Sequence, residues 1–254
     1  MTANPHAEKL DHFRGDAPQD IKDLVLLERI GTTCVITLNR PEKRNAFDFH
    51  GQKRILEVLE QAAATEGLRA LILTGAGPAF CAGADRTTLQ AAADDPGAAH
   101  AQFATLHGGI IRTMLGLPFP AIAAVNGPAA GFGATLAALC DIVLASEKAV
   151  LWDPHVLHGL PASVVLQAIW GRRAPGGFVR EALMTGRRIG AAEALQRGLV
   201  DRICPDEDLL AAAQDLAGQF AAMPEHGVRI TRQLFNRPLA EEIENLMRAG
   251  AERQ

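Results

Sequence analysis

A run of 28 residues without a charged side chain, from Thr113 to Cys140, constrains the fold of this chain more than any other feature. By length alone, this run could cross a bilayer as a helix. It is interrupted, however, by residues that break helices or add polarity, namely Pro118, Pro120, Asn126, Gly127, Pro128, Gly131 and Gly133. Irregular backbone cannot satisfy its polar groups in lipid hydrocarbon. We therefore predict that the run is buried inside a folded protein and does not enter a membrane.

The overall composition excludes several classes of protein. The chain has 254 residues, of which 48% are apolar and 21% charged, so it can bury one extended core. Its 25 basic and 29 acidic residues are scattered, which argues against a nucleic-acid partner. Cys34, Cys81, Cys140 and Cys204 lack the spacing of a metal or redox motif, so we expect reduced thiols and no metal site.

The first twenty residues are polar and mixed in charge. They lack the apolar segment of a secretory signal, which predicts a cytoplasmic protein. We expect residues 1–20 to form a mobile tail that precedes the folded part.

Short apolar strands alternate with helices over most of the chain. Arg69–Thr74, Ala121–Val125 and Asp141–Ala145 are almost wholly apolar, which is typical of strands that are buried on both faces of a parallel sheet. This alternation predicts an α/β core over residues 21–204. The remaining residues, 205–254, have the pattern of three helices at about 206–222, 224–235 and 239–251. This helical region either belongs to the same domain or packs on a neighbouring subunit.

Two glycine-rich turns are the first candidates for a functional site. Gly75–Asp85 (GAGPAFCAGAD) follows a buried strand, and its small residues would let a backbone N–H approach a ligand oxygen. Ala121–Asp141 runs from a strand into a helix that begins near Phe132, where free N–H groups would stabilise a negative charge. An ordinary tight turn is the alternative for the first segment. The second segment does not fit a dinucleotide or Walker motif, because a third glycine and a Walker lysine are missing.

The order of these motifs resembles the crotonase superfamily, which comprises the enoyl-CoA hydratases and isomerases. The resemblance begins at LNRPEKRNA (Leu38–Ala46), continues through AFCAGAD (Ala79–Asp85) and AAVNG (Ala123–Gly127), and ends at Ala191–Val200. It implies an α/β spiral of ββα turns with a C-terminal helical region. It also implies a homotrimer or a dimer of trimers.

The same resemblance implies the substrate and its contacts. The substrate would be an acyl-CoA thioester, with no cofactor beyond its CoA moiety. The thioester oxygen would accept hydrogen bonds from the backbone N–H groups of Ala84 and Phe132, which form an oxyanion hole. The residues expected near the CoA moiety are Arg44, Ala46, Ala82 and Asp85. A solvated surface arginine is the alternative for Arg44.

The sequence departs from the resemblance at both catalytic glutamates of the hydratases. Thr135 and His155 stand at the two positions, and threonine cannot act as a carboxylate base. Asp153, His155 and His158 form the titratable cluster best placed to exchange protons near neutral pH. Residues two apart on an extended chain share a face, so Asp153 could orient His155.

The Asp153, His155 and His158 cluster is also compatible with two roles other than proton transfer. A turn with a capping aspartate and a half-buried histidine would have the same sequence. A metal site is less well supported, because no further ligand spacing accompanies the cluster. His107 is a further candidate for the pocket, against the alternative of an ordinary surface or core histidine.

Three functions are therefore compatible with the sequence. The first is an enoyl-CoA hydratase/isomerase-like lyase or isomerase that acts through a stabilised enolate without the glutamate pair. The second is a CoA-independent hydrolase that cleaves a C–C bond of a β-diketone with an Asp/His pair. The third is a non-catalytic protein that binds acyl-CoA.

Overall fold

The computed structural model describes residues 20–251, and it describes the backbone alone at 89, 91–93, 96, 99–100 and 250–251. The predicted tail lies outside the described residues except for Asp20. A hairpin opens the main sheet, because β1 (Val25–Ile30) and β2 (Thr33–Leu38) pair antiparallel across a turn. Gly31 occupies that turn with a φ of 60°, which glycine adopts readily.

Four further strands complete the main sheet: β4 (Ala70–Gly75), β6 (Ala121–Val125), β8 (Ile142–Ser146) and β11 (Arg202–Cys204). The strand order is β1-β2-β4-β6-β8-β11, and every pair after the hairpin is parallel. All five residues of β6 are buried. The predicted α/β architecture with buried parallel strands is confirmed.

Five very short strands form two small sheets beside the main one. β3 (Ala46–Phe47) pairs in parallel with β5 (Gly83–Ala84). In the other small sheet, β9 (Val150–Trp152) lies between β7 (Ala129–Ala130) and β10 (Ile189–Gly190). A further bridge joins Cys81 to Ala129. These pairings bring the two glycine-rich turns together.

Nine α-helices lie within the described residues: α1 (Phe49–Ala64), α2 (Arg86–Asp94), α3 (Pro96–Gly116), α4 (Phe132–Ala138), α5 (Val164–Arg173), α6 (Gly176–Thr185), α7 (Ala191–Arg197), α8 (Leu209–Ala222) and α9 (Glu225–Ala251). Asp48 caps the start of helix α1, because its side chain accepts a hydrogen bond from the Gly51 N–H at 2.9 Å. A 3-10 helix, His155–His158, follows β9.

Helices cover both faces of the sheet at its centre, which explains why β4, β6 and β8 are almost wholly apolar. In β4, Leu71 and Leu73 belong to the larger core, whereas Ala70 and Ile72 point to the opposite face and pack with α8. The uncharged run that contains β6 is likewise inside the fold, as predicted. Across residues 20–251, no helix is both long enough and apolar enough to cross a membrane.

The C-terminal helices differ from the prediction. The expected helices at 224–235 and 239–251 are one continuous helix, α9, with Pro238 inside it. Proline removes one backbone hydrogen bond, but it does not end a helix that tertiary contacts hold on both sides. Here α9 packs against α3 and α5 of its own chain, and its Ile243 is fully buried.

Arg232 anchors α9 to the core. Arg232 is 5% exposed, and its guanidinium donates to the carbonyls of Met114, Leu115 and Leu117 at 2.6 to 2.9 Å. It also donates to the Asp141 carboxylate at 2.7 Å. These bonds satisfy the carbonyls at the end of α3, which have no partners within that helix.

Candidate active site

The first glycine-rich turn contains the backbone N–H of Ala84, on the side of β5 that does not pair with β3. β5 pairs with β3 so that Ala84 lies opposite Phe47, and Asp85 donates its N–H to the Phe47 carbonyl at 3.0 Å. Successive N–H groups of a strand point in opposite directions. The N–H of Ala84 therefore points away from β3.

The second turn presents the N–H of Phe132 at the start of α4. Gly131 caps the helix with a φ of 50°, and the first N–H groups of a helix have no partner within it. Within residues 20–251, the Phe132 N–H forms no hydrogen bond. A Cβ on Gly83 would lie 3.7 Å from this nitrogen, so the Ala84 segment and the Phe132 N–H are neighbours.

The structure joins Asp153 and His155 directly. Asp153 is 1% exposed, and its Oδ1 is hydrogen-bonded to Nδ1 of His155. The pair does not form on an extended chain as predicted, because Pro154 has helical angles (φ −81°, ψ −2°) and turns the backbone into the 3-10 helix. The backbone N–H groups of His155 and Ser163 donate to the same carboxylate at 3.3 and 2.7 Å.

These contacts set the proton positions of the pair. Burial opposes the charged form of Asp153, but the His155 and Ser163 hydrogen bonds outweigh it and hold the pKa of this carboxyl below its ordinary value. A charged carboxylate keeps the hydrogen of a neutral imidazole on Nδ1 and leaves Nε2 as the basic atom. Among the described residues, Nε2 of His155 has no hydrogen-bond partner. The His155 side chain is 37% exposed.

The imidazole lies beside the second turn. A Cβ on Gly131 would be 3.6 Å from Cε1 of His155, and Gly131 immediately precedes Phe132. Thr135 is one helical turn further along α4, is 8% exposed, and has its Oγ1 3.4 Å from Oγ of Ser163. The site thus contains one titratable pair beside two backbone N–H groups, with the Thr135 hydroxyl on the same helix as the second of them.

His107 stacks on the ring of Phe132, with 4.7 Å between centroids and 8° between planes. Its Nε2 is 3.0 Å from Oε1 of Gln52. Burial and the nearby charge of His155 lower its pKa to about 4, so it is neutral at pH 7. Sequence reasoning proposed His107 without a partner and did not identify Gln52 or Ser163, because both reach the site through contacts distant in sequence.

The residues predicted near CoA lie on two adjoining segments. Ala82 donates its N–H to the Arg44 carbonyl at 2.9 Å, and Ala46 pairs with Gly83. The Arg44 side chain is exposed. The Asp85 carboxylate is already engaged, because it accepts from Arg40 Nη1 at 2.6 Å and from the Thr87 N–H at 3.0 Å.

His158 stands apart from the pair. It is exposed at the end of the 3-10 helix, and among residues 20–251 no hydrogen bond joins it to Asp153 or His155. In the same described part of the chain, no three His, Cys, Asp or Glu side chains converge as a metal site would require.

An α/β fold in which two glycine-rich turns present neighbouring backbone N–H groups defines the class of protein. The sequence model of the enoyl-CoA hydratase/isomerase family matches residues 28–252, and the chain belongs to this family. It is 35% identical to a putative enoyl-CoA hydratase of Thermus thermophilus, covering 81% of each chain. It is 34% identical to the 1,2-epoxyphenylacetyl-CoA isomerase of Escherichia coli, covering 79% of this chain and 77% of the relative.

Solved structures confirm the predicted crotonase-like fold. An enoyl-CoA hydratase/isomerase from Mycobacterium paratuberculosis superposes with a TM-score of 0.83 at 30% identity, over 91% of this chain and 92% of the other. A monofunctional enoyl-CoA isomerase from M. smegmatis gives a TM-score of 0.73 at 31% identity, over 87% and 98%.

Proposed function

We propose that this chain is an isomerase-type enzyme that moves a proton along an enoyl-CoA thioester, with His155 as its acid and base. The observation that carries the proposal is the Asp153–His155 pair beside the Phe132 N–H. Nε2 of His155 removes a proton from the carbon next to the thioester carbonyl of a 3-enoyl substrate. The C–H electron pair becomes the new double bond, and negative charge spreads onto the carbonyl oxygen.

The two backbone donors stabilise this intermediate. The N–H groups of Ala84 and Phe132 bind the enolate oxygen, and the loss of one such donor typically raises the barrier by about 3 kcal/mol. Asp153 stabilises the imidazolium. Nε2–H of His155 then donates the proton to C4, where the carbonyl carbon is C1. The product is a 2-enoyl thioester. Atoms and charge balance with no further cofactor.

Thr135 favours proton transfer over hydration. Addition of water in this family uses two glutamates, whereas Thr135 supplies only a hydroxyl that contacts Ser163. Isomerisation needs one base, and the site holds one. Arg44 would bind a CoA phosphate with its exposed guanidinium, and Ala46, Ala82 and Asp85 would contribute the neighbouring backbone.

A CoA-independent β-diketone hydrolase is the second candidate, and the Asp153–His155 pair is the observation that favours it. The two candidates differ in the ligand they need. Calorimetric titration with butyryl-CoA, free butyrate and a cyclic diketone therefore separates them. Micromolar binding of the thioester alone supports the isomerase, and binding of the diketone alone overturns it.

Turnover measurements test whether His155 is the catalytic base. We expect His155→Ala to lower kcat on a 3-enoyl-CoA by about 10²- to 10⁴-fold, because the proton acceptor is lost. His226→Gln, an exposed histidine on α9, serves as the control and retains wild-type kcat. Unchanged kcat in His155→Ala would remove this residue from the mechanism. Thioester binding without turnover in the wild type would identify a non-catalytic acyl-CoA-binding protein.

We further propose that the protein is cytoplasmic. We also propose that it forms a homotrimer or a dimer of trimers, as the family resemblance implies. The subunit number is measured by light scattering.

A further inference from the structure

Two buried polar side chains outside the reacting pair connect the segments that carry the two backbone donors. Gln52 on α1 is fully buried, and its Nε2 donates to the Phe47 carbonyl at 3.2 Å. The same carbonyl accepts the N–H of Asp85, the residue that follows Ala84. Gln52 is therefore anchored to the backbone that fixes the first donor.

His107 extends this connection to the second donor. Because Nε2 of Gln52 is used by Phe47, its Oε1 faces the imidazole and must accept a hydrogen from Nε2 of His107 at 3.0 Å. The face of the same ring stacks on Phe132. The imidazole also contacts the Phe103 ring, with 5.1 Å between centroids, and the Phe49 ring lies 4.9 Å from that of Phe103.

We propose that Gln52 and His107 are positioning residues that hold the Ala84 and Phe132 N–H groups at a fixed separation for the thioester oxygen. This inference rests on the proposed function, because the two N–H groups must act as donors. Such donors act strongly only when they are aimed in advance at the charge that develops. A misplacement of about 1 Å can cost about 10²-fold in rate.

A histidine suits this position because it bonds through its edge and stacks through its face at once. Phenylalanine at 107 would keep the stack and lose the hydrogen bond. Methionine at 52 would keep apolar volume and lose both polar contacts. Each substitution therefore removes hydrogen bonds and keeps the side-chain volume in the core.

The experiment measures the polarisation of the bound carbonyl directly. Butyryl-CoA carrying ¹³C at its carbonyl is bound to the wild type, His107→Phe, Gln52→Met and the control Gln61→Leu, an exposed residue of α1. The shift of the carbonyl stretch to lower frequency on binding is recorded by infrared difference spectroscopy. kcat and KM on a 3-enoyl-CoA are measured in parallel.

We expect His107→Phe and Gln52→Met to reduce the carbonyl shift and to lower kcat about tenfold with little change in KM. Gln61→Leu keeps the wild-type shift and rate. If folded His107→Phe shows the same carbonyl shift as the wild type, the inference is overturned. The His107→Phe result alone is sufficient for this test if Gln52→Met does not fold. A wild type that binds no thioester, or binds it without a shift, instead refutes the proposed function.

Discussion

Replacing Gly133 with alanine tests how closely the two turns must pack. A Cβ on Gly133 would lie 2.1 Å from the carbonyl oxygen of Cys81 and 2.8 Å from its Cβ. A Cβ atom essentially never comes within 3.0 Å of a heavy atom beyond its own residue and its chain neighbours, so α4 and the Cys81 segment would separate by about 0.9 Å. That movement also strains the 2.9 Å hydrogen bond from the Ala130 N–H to the same Cys81 carbonyl.

Two effects of opposite sign determine the stability of this variant. Overpacking of a close contact costs about 1–3 kcal/mol, whereas glycine to alanine inside a helix gains about 1 kcal/mol. We therefore expect the free energy of unfolding to fall by up to about 2 kcal/mol. The rate should suffer more, because a shift of about 1 Å in the Phe132 N–H lowers kcat by about 10²-fold.

Gly218→Ala provides the matched control. Gly218 is an exposed helical glycine of α8, and a Cβ there would meet nothing within 4 Å. The same substitution should raise its free energy of unfolding by about 1 kcal/mol and leave kcat unchanged. Urea unfolding and steady-state turnover measure both variants. A Gly133→Ala variant that gains stability as the control does, and turns over at the wild-type rate, would contradict the predicted clash.

Three further predictions concern charges and thiols. The pKa of Asp153 is lower in the folded protein than in the unfolded chain. Its charged carboxylate therefore stabilises the fold fully above pH about 4, and this contribution is lost as the pH falls through the pKa of the folded protein. The difference in unfolding free energy between wild type and Asp153→Asn should accordingly narrow below pH about 4, and a constant difference in acid titrations would contradict this. Arg232→Met should lower the free energy of unfolding in urea by about 3–5 kcal/mol, because Asp141 loses its buried partner, and a loss below about 1 kcal/mol would show that the anchor is dispensable. Burial raises the pKa of Cys34 to about 11 and of Cys81 to about 12 and also raises that of Cys140, whereas Cys204 is only partly buried. Ellman's reagent should therefore label one thiol of the native protein rapidly, and Cys204→Ser should abolish this phase.

Local signals predicted the regular elements well. Strand β6 has the predicted bounds, because its apolar run lies between Pro120 and Asn126. The Asp48 side chain that caps α1 is a local signal of the same kind. The predicted break between 235 and 239 is wrong, because the effect of Pro238 on the helix depends on the packing of α9 against other helices.

The candidate site was only partly accessible from the sequence. Asp153 and His155 are two residues apart, so their pairing could be anticipated, although the turn at Pro154 that produces it could not. Gln52 and His107 are 55 residues apart and meet only because α1 and α3 pack together. No local pattern marks such a contact, because a helical glutamine or histidine usually faces solvent.

The anchoring of α9 by Arg232 has a consequence for how this chain folds during synthesis. Arg232 follows its carbonyl partners at the end of α3 by 115 to 118 residues. Until it leaves the ribosome, these carbonyls and Asp141 lack their donor, although the strands on either side are already made. The sheet that supports the two turns therefore reaches its final stability late, after a long loop has closed. Chains that end before Arg232 lack this donor altogether, and we expect them to depend on chaperones to shield this edge of the core.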